Sequence, residues 1–170
     1  MWFEMRREDM GFVDRAPVVH VSEAAVAAAR AAVFAALVDP SCWKRWFPGV
    51  REVSYGSPPP HGVGTIRKAD VGGTRWEEEL IAWDQNARWA WTVTRASVPF
   101  ATAQVESFEL ADAAGGTRVR WTLALEPRLI ARLGAPFAGR TIRRLLERAM
   151  QNLATHLRQS PPVRRAAPAT

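Results

Sequence analysis

The chain has 170 residues, 48% hydrophobic and 24% charged, which suits one globular domain with a sizeable core and little left for a second. No apolar run approaches a bilayer-spanning length, and Met1–Met10 carries acidic residues where a signal peptide needs an apolar stretch. The lone Cys42 excludes an internal disulfide, so a cytoplasmic location is expected.

The net charge of +6 comes almost wholly from arginines spread along the chain. They are dense only at Arg140, Arg143, Arg144 and Arg148 and at Arg164-Arg165, which describes a solvated basic helix face. No nucleic-acid partner is expected. Residues 1–16 show no period and are expected to form a flexible or loosely docked arm. Pro17 to Val26 alternates as a strand, with Val19, Val21 and Glu23 on one face. From Ala27 to Val38 the spacing becomes helical, with Val33, Phe34, Leu37 and Val38 as the apolar stripe.

Asp39 is placed to cap a second short helix that Pro40 opens and Pro48-Gly49 ends. Trp43, Trp46 and Phe47 fall in this short connector. Rings of that size are not left in water, so the segment is expected to fold back over an apolar surface. Six more strands are expected at Val50–Tyr55, Gly64–Val71, Thr74–Trp83, Arg88–Arg95, Ala101–Leu110 and Thr117–Glu126. Their short connections favour antiparallel pairing, and Asp112–Gly116 is a hairpin turn. A long helix follows from Pro136 to Arg158, with Phe137, Ile142, Leu145, Leu146, Ala149, Leu153 and Leu157 on its apolar face. The Pro- and Ala-rich tail, 159–170, is expected to be disordered.

Strand alternation defines a provisional inner face. Val119, Trp121, Leu123 and Leu125 share one side of the last strand; Gln104, Glu106, Phe108 and Leu110 share one side of the strand before it. Trp89, Trp91 and Val93 align earlier, as do Trp76, Glu78 and Leu80. The result is a face rich in indoles, which either fill the interior or line a cavity. Glu78, Glu106 and Gln104 lie on it, and Arg67 comes from the strand after Gly64. Buried carboxylates need partners, so an Arg67–Glu78 or Arg67–Glu106 pair is expected unless these residues reach water at strand ends.

Other chemistry is poorly served. His20, His61 and His156 have no ligand spacing, so no metal is expected. Cys42 has no indicated base and reads as a packed residue beneath Trp46. Gly62-Val-Gly64 lacks the remainder of a phosphate loop, and no cofactor is expected.

The stretches Val33–Pro40, Trp43, Trp46–Val50, Gly62–Gly64, Glu77–Asp84 and Gly116–Thr122 occur in an order that resembles the START-like (SRPBCC) superfamily of polyketide cyclase/dehydrase and lipid-transport type. The resemblance covers about residues 17–158. It implies an α+β helix-grip fold: a curved antiparallel seven-stranded sheet around a long C-terminal helix, with two short helices after the first strand. It also implies a cavity between sheet and helix for a hydrophobic small molecule. Trp46, Phe47, Arg67, Trp76, Glu78, Trp89, Trp91, Phe108, Trp121, Leu145 and Ala149 are then the expected lining.

Carriage or binding of an apolar, ring-containing molecule is the first expectation. A cyclase, aromatase or dehydratase is the second, and it requires Arg67, Glu78 and Glu106 to converge within hydrogen-bond reach as catalytic groups. Association with protein or RNA through the basic helix and tail ranks last. The oligomeric state is not legible.

Overall fold

In a computed structural model, which describes residues 1–129 and 135–159 and the side chains of all these but 135–138, all seven expected strands form. In chain order the elements are β1 (Phe3–Glu4), α1 (Phe12–Arg15), β2 (Val18–Val26), α2 (Arg30–Val38), a 3₁₀ turn (Pro40–Cys42) and α3 (Trp43–Trp46). Then come β3 (Val50–Tyr55), β4 (Ile66–Val71), β5 (Thr74–Asp84), β6 (Arg88–Ala96), β7 (Ala101–Ala113) and β8 (Gly116–Pro127). The long helix α4 spans Ala135–Gln159. The tail beyond Gln159, and the Phe137 side chain expected on the apolar face of α4, lie outside the described residues.

The sheet has strand order β2-β8-β7-β6-β5-β4-β3, every pair antiparallel, and register shifts in the β3–β4, β5–β6 and β7–β8 pairs bend it. α4 packs along β2 and against α3, where Asn152 Nδ2 donates to the Trp46 carbonyl at 3.0 Å. Local chemistry sets the elements before the grip. The Asp39 carboxylate accepts from Ser41 N at 2.9 Å, capping the turn that Pro40 opens. Gly116 begins β8 where a β-carbon would stand 2.1 Å from the Val26 carbonyl oxygen, so only glycine lets β8 run this close to the end of β2.

One expectation requires correction. The N-terminal segment is not a loose arm: its strand β1 pairs with β6, Phe3 opposite Ala96, off the path of the seven expected strands. Met5 N donates to Thr94 O at 2.8 Å, and Glu8 N to Thr92 Oγ1 at 3.1 Å. Phe12 is buried on the outer sheet face against Ala103, Val105 and Ala124. The segment covers the convex side of β6–β8, which is why β6 is buried on both faces from Trp89 to Thr94. On β2, Val19 and Val21 share a face as expected, and it is the solvent face. The inner side of β2 buries Ser22 and Val26. Among the described residues no helix is long and apolar enough to cross a membrane.

Candidate functional site

The inner sheet face divides in two. Beneath α2 and α3 it is packed solid. Trp46, Trp89 and Phe108 are essentially inaccessible, with Trp89 4.7 Å from Trp91 and Phe108 stacked 4.8 Å from Trp121, measured between ring centroids. Farther along, toward the first turns of α4, the packing opens into a cavity of about 280 Å³.

Of the expected lining residues, Phe47, Arg67, Trp76, Glu78, Trp91, Trp121 and Leu145 reach this cavity, and so does Glu106. Trp46, Trp89, Phe108 and Ala149 do not; they belong to the closed core behind it. Outside that expected lining, the cavity also takes walls from Trp43, Val98 and Phe100, and from Ile142 and Leu146 of α4. Trp43 carried a usable signal. It lies three residues before Trp46 on one short helix, the spacing that sets both rings on one face, and both meet Phe47 and Phe108. Its indole Nε1 donates to the Leu37 carbonyl at 2.7 Å, which turns the ring onto Trp46 (4.5 Å) and Phe47 (5.6 Å).

The polar groups are built into adjacent strands. Arg67 on β4 and Glu78 on β5 are direct cross-strand partners, and Arg67 Nη1 donates to Glu78 Oε2 in an ion pair that is nearly inaccessible to solvent. The guanidinium also lies over indole faces, its Cζ 4.2 Å from the ring centroid of Trp43 and 5.0 Å from that of Trp91. Arg67 Nη2 and Trp91 Nε1 are buried donors with no hydrogen-bond partner. Burial pushes the Glu78 carboxyl above the usual carboxylate range, against the pull of the Arg67 charge and hydrogen bond.

Glu106 on β7 is held differently. Gln104 Nε2 donates to its Oε1 at 2.7 Å and Trp121 Nε1 to its Oε2 at 3.0 Å. Arg67, Glu78 and Glu106 thus line one cavity, but no hydrogen bond joins Glu106 to the pair, and the convergence that the acid–base reading requires is only partly met. Burial, reinforced by the Glu78 charge, raises the Glu106 carboxyl to about 7.

This shift has a signed consequence. Between its ordinary value of 4.5 and about 7 the folded state binds more protons at Glu106 than the unfolded chain does. Its contribution to stability therefore falls as pH rises through that window, by roughly 3 kcal/mol in total at 1.36 kcal/mol per unit. Glu106→Gln is expected to remove that part of the decline between pH 5 and pH 8 in urea unfolding. An unchanged slope would show that Glu106 does not titrate in this range.

Cys42 is half-buried, its thiol donating to Asp39 Oδ2 at 3.4 Å, and burial pushes the thiol up, away from the reactive thiolate. His20, His61 and His156 sit apart, on β2, in the β3–β4 connection and on α4.

A sequence model of the family described as polyketide cyclase / dehydrase and lipid transport matches residues 18–158. An uncharacterized protein of Mycobacterium tuberculosis is 30% identical over 123 residues, which are 72% of this chain and 74% of that protein; one from Mycobacterium bovis matches to the same extent. Among solved structures, a START superfamily protein from Mycobacterium smegmatis is similar with a TM-score of 0.63 at 18% identity, over 84% of this chain and 97% of that one. The di-domain ARO/CYC BexL from the BE-7585A biosynthetic pathway is similar with a TM-score of 0.68 at 13% identity, over 85% of this chain and 51% of that one. At these identities the two structural likenesses concern the fold.

Proposed function

Because the chain belongs to the polyketide cyclase / dehydrase and lipid transport family and has the helix-grip fold, we propose that it binds a hydrophobic, ring-containing small molecule in the cavity between sheet and α4. The observation that carries this reading is an indole- and leucine-walled space of about 280 Å³ with few polar groups on its walls. An apolar cavity of about 150 Å³ holds benzene, so this one suits roughly two fused rings. Arg67 Nη2 and Trp91 Nε1 offer donors to an acceptor atom on such a ring system. Affinity comes from apolar burial and selectivity from those few polar groups.

A catalytic reading, as a cyclase, aromatase or dehydratase, keeps one supporting observation: a carboxyl that exchanges its proton near neutral pH suits a general acid. The Arg67–Glu78 pair is closed on itself and Glu106 is bonded elsewhere, so carriage or binding is the better-supported function. Native mass spectrometry of the purified protein, followed by extraction and identification of any released molecule, tests it. The expected result is a copurified apolar ring compound, or an added two-ring compound retained at one per chain. A bare chain that retains no member of a two-ring panel would sink the proposal.

A further inference from the structure

With Glu106 ionised, the charges around the cavity do not sum to zero. Among the described residues that line it, the charged groups are Arg67, Glu78 and Glu106, and Arg67 with Glu78 forms a self-neutralising pair. Glu106 has no ion-pair partner. Its bonds come from the neutral donors Gln104 and Trp121, and each carboxylate oxygen keeps a free lone pair. Bulk solvent reaches it little, since Glu106 is only 8% exposed. Its cross-strand neighbours are Trp91 of β6 and Leu123 of β8, while α3 and α4 bring Trp43, Leu145 and Leu146 to the cavity; none of these carries charge. Arg67 of β4 and Glu78 of β5 are the charged groups that act on it.

In its ionised form a buried carboxylate in this setting is complemented by a cation. The walls suit one, since indole faces attract positive charge and two of them already hold the Arg67 guanidinium. Trp76 and Trp121 line the same cavity and carry no such cation. An anionic ligand could take the Arg67 Nη2 donor, but it would leave Glu106 uncompensated and add a negative charge beside two carboxylates.

Resting on the binding function proposed above, we infer that the ligand is a cation: a ring-containing amine whose protonated nitrogen seats on the Glu106 carboxylate, among the indoles. Where Glu106 begins protonated, seating transfers its proton to solvent: the carboxylic acid and the ammonium become a carboxylate–ammonium pair plus one released proton. The amine, titrating near 10, keeps its own charge throughout.

The test is isothermal titration calorimetry of the full-length protein with a matched series: 2-(1-naphthyl)ethylamine, 2-(1-naphthyl)ethanol and 1-naphthylacetate. At pH 8 the amine is expected to bind roughly 10- to 100-fold more tightly than the alcohol, and the acetate most weakly. In Glu106→Gln the amine is expected to fall to the alcohol's affinity. A measurement on the unaltered protein is independent of that variant's folding: at pH 6.5, titrations in buffers of different ionisation enthalpy should show a proton released on amine binding and none on alcohol binding. If the alcohol or the acetate binds as tightly as the amine, or amine binding releases no proton at pH 6.5, the cation inference is overturned while the binding function stands. If none of the three binds, both fall.

Discussion

Arg67→Met is expected to cost about 3–5 kcal/mol of stability at pH 8, because it leaves Glu78 buried with no positive partner. The guanidinium has several roles at once. It forms the ion pair with Glu78, and it lies over Trp43 and Trp91 where the short helix α3 meets the sheet. Glu78 escapes part of the penalty by taking up a proton, so the loss should shrink at pH 5, where protonation is cheaper. The double variant Arg67→Met/Glu78→Leu removes both charges and replaces them with apolar volume. Its stability is expected within about 1 kcal/mol of the unaltered protein, since buried pairs and apolar replacements of similar size are often equivalent. Urea midpoints for the two singles and the double, compared as a cycle, give the coupling. A double variant as unstable as Arg67→Met alone would show that the guanidinium stabilises by packing on the indoles, not by neutralising Glu78.

Replacing tryptophans on the two halves of the inner face should give opposite signatures. Trp89 is fully buried in the solid half, against Trp43, Trp91 and Phe108, and Trp89→Ala is expected to cost about 3–5 kcal/mol. Trp76 is half-buried on the cavity wall and meets Phe100 edge-on at 5.1 Å. Trp76→Ala enlarges a space that already exists, so a loss of about 1 kcal/mol is expected in the fold, with roughly tenfold weaker binding of a two-ring ligand. Thermal unfolding and calorimetric titration of both variants check the division. Equal stability losses would mean that the space beside Trp76 is closed in solution.

Much of this arrangement was legible in the sequence. Period-two alternation placed Gln104, Glu106 and Phe108 on the inner face with Trp121, Leu123 and Leu125, and it brought Arg67 and Glu78 into range of each other. Alternation tells which side of a sheet a residue faces. It does not tell how far along the strand the residue lies from the helices that fill one end. Trp89 and Trp91 have the same parity, yet the first sits in the solid core and the second lines the cavity. Trp46, Phe108 and Ala149 were likewise on the correct face, in the filled part.

The N-terminal segment was misread for a different reason. Its elements are two and four residues long, too short for any period to appear. What orders them is pairing with β6 and burial of Phe12 on the sheet, both long-range events. Val98 and Phe100 were missed because they fall in and just after a turn, where strand parity lapses. Ile142 was on the expected apolar stripe of α4, but a stripe does not say which of its turns stands over a void.

The most direct test of a ligand cavity between sheet and helix reads the tryptophans themselves. The chain has 8 tryptophans, and each indole Nε1–H gives its own signal in a ¹H–¹⁵N spectrum. With 2-(1-naphthyl)ethanol added to saturation, the signals of Trp43, Trp76, Trp91 and Trp121, which line the cavity, are expected to move. Those of Trp2, on the N-terminal segment, and Trp83, packed against Phe34, are expected to stay in place. Movement at Trp2 or Trp83 with the four cavity indoles unchanged, or no movement at all, would contradict a binding site in this cavity.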